Sequence, residues 1–262
     1  MSFMDHTIYN MAHPVFNGLD NYIKLFKSGI ILTYFKNTFF YVFFEVGIQF
    51  LLAFMLALAL SFNLKGREVY RGLFLIAWTI PSVAVAMLWT LMFQSQYGII
   101  NYLLSSVGWI SDSNLLWTQS PERAMITVIV AVMWRQLPYM VTMLVAGLLS
   151  VSRELIEAAT IDGCNRLRVL QHVIFPSIST VLVTTITISI INNFQMFTII
   201  YNMTGGGPMD KTMTLSVGAY HAAFVQHDLG SGSAIGVLWL IVLSVFSVIN
   251  IRASEKKNSG YI

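Results

Sequence analysis

The amino-acid sequence predicts an all-α, polytopic membrane bundle, and three observations carry that prediction. Hydrophobic residues fill 56% of the 262 positions and charged residues only 10%, where a soluble domain carries about a quarter charged. Five apolar stretches approach or exceed the ~20 residues that a helix needs to cross the hydrocarbon core: Thr38–Phe62, Tyr70–Phe93, Ala124–Leu149, Ser177–Ile200 and Ala234–Ile251. None of them shows the alternation of an outer-membrane barrel strand.

Orientation follows from lysine and arginine, which collect in cytoplasmic loops. Lys65, Arg67 and Arg71, then Arg153, Arg166 and Arg168, then Arg252, Lys256 and Lys257 fall on one side. Lys24, Lys27, Lys36, Arg123 and Lys211 are spread thinly over the longer loops of the other. The loop 150–176 and the tail 252–262 are therefore expected in the cytoplasm, and segment 1–37 outside. The formal net charge of +3 expresses this bias and implies no nucleic-acid surface.

The first 37 residues lack a charged n-region followed by an apolar h-region, so they are not a signal peptide. Nothing ahead of Thr38 would carry them across the membrane, and the expectation is that a span preceding them is missing from this chain. Within them "LDNYIKLFK" is amphipathic and is expected to lie in the outer membrane interface. The lone Cys164 allows no disulfide, and no internal repeat stands out. A single permease-like domain over 1–262, with its bundle at 38–251, is expected.

Between the second and third long outer loops the chain interrupts its apolar runs with "ELIEAATIDG" at 154–163. Glu154 to Ala159 favours helix, Gly163 allows a tight turn, and Pro176 suits the first turn of the following span. Helix, turn and helix along the membrane surface would offer Glu157, Asp162, Arg166 and Arg168 to a partner. The residue types alone are equally compatible with a solvated connector.

Spacing adds to this. Glu157-Ala158-Ala159, then Asp162-Gly163, then, after nine residues, Val173 and Pro176 resembles the EAA signature of ABC importer permeases. Val173, Phe175 and Cys164 stand where that family usually has Ile, Leu and Ala. "YGIINYLLSSVGW" and "YNMTGGGPMDKTMTLSVGAYHAAF" are similar to outer segments of its carbohydrate-uptake branch, in particular the larger permease subunit of maltose-type importers. Members of that branch have a helix before the "GLDNY" segment.

The resemblance implies a non-catalytic subunit that delivers a sugar across the bacterial cell membrane. Its partners would be a second permease subunit, two ATPase subunits, an extracytoplasmic sugar-binding protein and membrane lipid. Glu157, Ala158, Ala159, Asp162 and Gly163 would form a coupling helix docked on an ATPase. Gly205, Gly206, Gly207 and Pro208 would contact the binding protein; a plain Gly/Pro-rich turn is the alternative. ATP and Mg would be bound by the partner ATPases, with no cofactor or metal in this chain. "GGGPMDKT" is no phosphate loop, because Asp210 stands where glycine must precede the lysine.

Polar residues inside spans are expensive, so each needs a partner or a task. Glu45, Gln49, Trp78, Ser82, Arg135, Gln136, Tyr139, Ser189, Asn192, Asn193 and Gln195 are the candidates. Hydroxyl and amide groups beside aromatic faces suit a sugar. "WTIPS" and "WRQLPY" also carry prolines that loosen a helix. Hydrogen bonds between helices are the competing use. The family resemblance places Trp78, Ser82, Gln136, Tyr139, Ser189, Asn192 and Asn193 at sugar-lining positions. Arg135, joined to that set, is compatible with a neutral oligosaccharide, the preferred cargo, or with an anionic one such as a sugar phosphate or uronate. Pairing of Arg135 with Glu45 is a further option.

Two other classes fare worse. A self-sufficient ion-coupled transporter would place more carboxylates inside spans than Glu45. An intramembrane enzyme would need convergent nucleophiles or ligands, yet His6, His13, His172, His221 and His227 fall outside the spans and no metal-ligand spacing occurs.

Overall fold

The structure, a computed structural model, describes every residue except 11–12, 62–66, 112–113 and 259–262. Phe62 at the end of the first expected span, Lys65, and positions 259–262 of the expected tail lie outside the described residues. In chain order a two-residue ribbon β1 (Met4–Asp5) and β2 (Val15–Phe16) precedes α1 (Asp20–Lys27), α2 (Ile30–Ser61), α3 (Arg67–Thr79), α4 (Ser82–Met92), α5 (Ile99–Ser106) and α6 (Ala124–Leu149). Next come α7 (Arg153–Ile161), α8 (Arg166–Val169), a π-helical stretch Leu170–Ile174, α9 (Phe175–Ser177) and α10 (Ser179–Phe194). The chain continues with α11 (Thr198–Thr204), α12 (Leu215–Tyr220), a second π stretch His221–Val225, and α13 (Leu229–Asn258).

Among the described residues three helices are long and apolar enough to cross a membrane: α2, α6 and the Leu229–Asn250 part of α13. The second expected span is divided. Pro81 lacks the N–H that would continue the ladder and disfavours helix at the residue before it, so α3 stops at Thr79 and α4 starts at Ser82. At 13 and 11 residues these rise only about 20 and 16 Å, short of the ~30 Å hydrocarbon core. The fourth, expected over Ser177–Ile200, is helical as α10 only to Phe194, with α11 beginning at Thr198, and a 70° bend at its head separates α10 from Arg166–Ser177. Pro176 therefore sits in the last turn before the bend, not at the start of the span. The π stretch immediately ahead of it widens the helix where the proline ring would otherwise crowd the preceding turn. Pro138 behaves differently and lies inside the unbroken α6.

The chain divides into two compact units. One comprises Met1–Phe44, Pro81–Val132 and Asn193–Ile249. Ile31, Tyr41, Ile199, Ile200, Leu215 and Ile235 are its largest fully buried apolar side chains. Buried Asn21 donates from Nδ2 to the carbonyls of Ser2 (3.0 Å) and Met4 (2.9 Å), tying the ribbon to α1. The Asp228 carboxylate caps α13, accepting from the Ser231 N–H (2.9 Å) and hydroxyl (2.6 Å). Segment 6–8 is laced to the same corner through Gly230 N–H to His6 O (2.9 Å) and Ile8 N–H to His227 O (3.1 Å). Thr38 Oγ1 donates to Tyr34 O (2.7 Å) and accepts from the Leu215 N–H (2.9 Å), fixing α2 to the start of α12.

The other unit comprises Glu45–Ile80, Met133–Asn192 and Asn250–Ile262. Met140, Leu144 and Ile178 are fully buried in it, as are Glu45 and Gln49, one turn apart on α2. Phe54 stacks on Phe175 with ring centroids 5.0 Å apart. Gly147 brings α6 against Val181 of α10, where an added Cβ would lie 3.0 Å from Val181 Cγ1.

Close packing in the first unit depends on Gly232. A Cβ there would meet Ala223 Cβ at 2.7 Å, Ala223 N at 2.9 Å and Ala219 O at 3.0 Å, and backbone atoms cannot step aside. Gly232→Val is expected to cost about 1–3 kcal/mol, read as a lowered thermal midpoint of the detergent-solubilised protein. Gly236→Ala, which opens into free space, should not lower it.

Candidate functional site

The break before Pro81 exposes backbone groups that α3 and α4 do not use. The first carbonyl to serve α4 is that of Pro81, which accepts from Val85 N–H at 3.1 Å, leaving Ile80 O outside both ladders. Two side chains serve the end of α3. Thr79 Oγ1 donates to Ile76 O at 2.8 Å, and Arg135 Nε, reaching from α6, donates to Ile80 O at 3.2 Å. One turn beyond Arg135 on α6, Tyr139 stacks on Trp78 of α3, with centroids 5.8 Å apart and ring planes 21° from parallel. Trp78 remains 45% exposed, so the pair presents an aromatic surface.

Two of the other expected sugar-lining residues, Ser189 and Asn193, bond to α2. Ser189 Oγ donates to Gln49 Oε1 at 3.0 Å with both residues buried. Asn193 Oδ1 accepts from the Tyr41 hydroxyl at 2.7 Å. These are the inter-helix hydrogen bonds that polar residues in spans commonly make. Gln136 is buried, Ser82 half-buried and Asn192 exposed. Trp78, Arg135, Gln136, Tyr139, Ser189 and Asn192 belong to one unit, whereas Ser82 and Asn193 belong to the other. The sequence did not single out Tyr41, Asn37 or the Ile80 carbonyl. A tyrosine in an aromatic-rich span carries no local sign of its partner, and a freed carbonyl is visible only through the proline that follows it.

The EAA segment folds as expected, and its ends explain why. Ser152 caps α7, its hydroxyl accepting from Glu154 N–H at 3.2 Å. At the other end Cys164 N–H bonds Ala159 O (3.0 Å) and Gly163 N–H bonds Thr160 O (3.1 Å). That paired closure with a left-handed Gly163, φ +82°, is a Schellman stop. Asn165 then caps α8, with Oδ1 accepting from Arg168 N–H at 2.9 Å. Glu157, Ala158, Asp162 and Gly163 are exposed and Ala159 is half-buried. Leu155 (53%) and Ile161 (85%) are exposed beside them.

The glycine-rich turn after α11 is equally defined. Gly205 and Gly206 adopt φ of +61° and +94°, and a side chain at Gly206 would strike Met213. Thr212 Oγ1 donates to Gly207 O (2.7 Å) and lies 2.7 Å from Thr204 Oγ1. Asn37 Nδ2 donates to Asp210 O (2.6 Å) and Met213 O (3.0 Å). Gly207 and Pro208 are half-buried, and Met209 stands out at 82% exposure. Among the described residues no three His, Cys, Asp or Glu side chains gather as a metal site would require.

Residues 49–259 match the family described as "Binding-protein-dependent transport system inner membrane component", and the chain belongs to that family. It is 32% identical over 243 residues to the trehalose/maltose transport system permease protein MalF of Thermococcus litoralis, covering 92% of this chain and 80% of that one. Over the same length it is 31% identical to the sn-glycerol-3-phosphate transport system permease protein UgpA of Yersinia enterocolitica, covering 92% and 81%. Its fold matches that in a bacterial alginate ABC transporter in complex with alginate pentasaccharide-bound periplasmic protein, with TM-score 0.81, 20% identity and 91% and 83% coverage. The methionine transporter MetNI, in an inward-facing form, matches with TM-score 0.60 at 17% identity over 86% and 95%. The chain is thus a multi-pass permease subunit of an ABC importer, a class that leaves ATP hydrolysis to partner ATPases and takes its cargo from a binding protein.

The Ser189–Gln49 bond supplies a test of the inter-helix use of span polarity. Ser189→Ala strands a buried amide oxygen and is expected to destabilise by about 0.6–2 kcal/mol. Adding Gln49→Leu should recover part of that loss, measured as a double-mutant cycle of unfolding in mixed micelles.

Proposed function

We propose that this permease carries a saccharide, and that the segment 150–176 is the cytoplasmic element through which ATPase closure is transmitted to the bundle. The observation that carries the coupling half is the build of that segment. Two short helices are each stopped or started by their own capping bonds, and Glu157, Ala158, Leu155 and Ile161 are left outward. Exposed apolar side chains beside charged ones mark a protein-docking surface. A segment with fixed ends transmits displacement that a slack loop would absorb. Movement of two such segments, one on this chain and one on a second permease subunit, would rock the bundle between outward and inward access. ATP and Mg would be held by the two ATPases, with the tail 252–262 on the same cytoplasmic side.

The saccharide half rests on the Trp78–Tyr139 surface, since an aromatic face covers the apolar side of a sugar ring, with Gln136 and Asn192 of the same unit supplying neutral hydrogen-bonding groups. The named relatives handle a neutral disaccharide and a sugar-alcohol phosphate, and the solved transporter handles an acidic polysaccharide. Segment Gly205–Pro208, with Met209 projecting beyond it, is proposed as a binding-protein contact.

The coupling reading is tested by affinity purification of the tagged chain from native membranes. The ATPase should co-purify with the wild type and be lost with Glu157→Lys. Gly163→Pro, which cannot adopt φ +82°, should insert normally yet abolish ATP-driven uptake; normal uptake by that variant would exclude the coupling role. The saccharide reading predicts that Trp78→Ala raises the KM for the sugar about tenfold or more, the loss of a contact of ~1.4 kcal/mol. Unchanged sugar uptake by that variant would exclude the aromatic surface from the pathway.

A further inference from the structure

We infer that Arg135 is a positioning residue that sets where Trp78 stands, and that it does not read the charge of the cargo. The inference rests on the proposal that Trp78 and Tyr139 face the transported sugar. An arginine within the span of a permease whose relatives carry anionic cargo suggests a charge reader at first sight. The contacts argue otherwise. Arg135 Nε is directed at Ile80 O, 3.2 Å away, an acceptor that exists only because Pro81 ended the ladder of α3. Arginine recognises carboxylate and phosphate most strongly through a two-pronged fork. With Nε committed to the protein, the side-on Nε–Nη edge is occupied, and only the end-on Nη1–Nη2 edge is left for an anion.

The geometry also explains why a cation belongs there. The C-terminal end of a helix carries partial negative charge, and an unmet carbonyl inside a bilayer is costly. A guanidinium reaching from α6 meets both demands. Its attachment point is two residues from Trp78, and its own base is one turn from Tyr139. Two residues of α6 therefore grip two residues at the end of α3, one by a hydrogen bond and one by ring stacking at 5.8 Å. Release of the first leaves the Trp78 end of α3 with one of these two grips, so the tryptophan can shift.

The experiment is ¹⁹F NMR of the assembled transporter in nanodiscs, with the six tryptophans of this chain replaced by 5-fluorotryptophan and no cargo added. Trp78→Phe assigns the Trp78 resonance. Arg135→Met, which keeps the apolar stem and removes the donor, should shift or broaden that resonance while the others stay in place. Arg135→Lys, which restores a donor, should bring it back. An unmoved Trp78 resonance in Arg135→Met overturns the inference, as does movement of all six signals without rescue by lysine. Titration with glucuronate supplies the remaining arm: a response of the wild type that Arg135→Met lacks and neutral glucose does not produce would make Arg135 a charge reader and overturn it too. Because the first spectra are recorded without sugar, they report on Arg135 whatever Trp78→Ala does to uptake, so failure of this inference and failure of the saccharide reading are separable.

Discussion

Inside a bilayer every backbone carbonyl needs a donor from the protein, and the carbonyl of Ile80 has lost the one a continuous helix would give it. The end of α3 is arranged around that carbonyl. Pro81 ends the helix, Thr79 turns its hydroxyl back onto Ile76, and α6 sends a guanidinium to Ile80. The stack of Trp78 on Tyr139 belongs to the same arrangement, since both contacts join the same two short stretches of chain. The end of the broken helix is thus tied by Thr79 and by two residues of α6.

The same logic recurs where the chain leaves the apolar spans. The EAA segment is a series of terminated pieces: a Ser152 cap, a left-handed stop at Gly163, an Asn165 cap, and a π stretch ahead of Pro176. Each terminus satisfies its own backbone groups locally, so little is left for water or for slack. The turn after α11 is built alike, with Thr204, Thr212 and Asn37 bonding within it or onto it. Short elements with satisfied ends keep their shape while remaining on the surface, and that combination is what a docking element has to offer.

How far the sequence led depends on the range of the interaction. The bundle class, the long spans and the helix–turn–helix of the EAA segment follow from composition and local capping residues, so they were legible. The two prolines show the boundary. Pro81 and Pro138 looked alike as helix looseners, yet only Pro81 divides its helix. On α6 the residues around Pro138 are firmly buried, Met140, Val141 and Leu144 among them, and packing holds the helix through the missing bond. Around Pro81 the flanking Trp78, Thr79 and Val83 and Pro81 itself are exposed, so less packing opposes the break. The pairings of Ser189 with Gln49 and of Asn193 with Tyr41 join residues 140 and 152 apart, beyond any local pattern.

Those pairings also narrow the candidate site. A buried amide or hydroxyl already bonded to a neighbouring helix contributes to recognition only by giving up that bond, and leaving its partner unmet in hydrocarbon cancels much of the gain. Ser189 and Asn193 are therefore better suited to fixing α10 against α2 than to meeting a ligand. On the proposed saccharide reading, recognition would fall to side chains that keep surface: exposed Trp78, half-buried Tyr139 stacked on it, and exposed Asn192. Adjacent asparagines on one helix thus have different surroundings: Asn193 is buried and accepts from the Tyr41 hydroxyl, while Asn192, about 100° round the helix, is exposed.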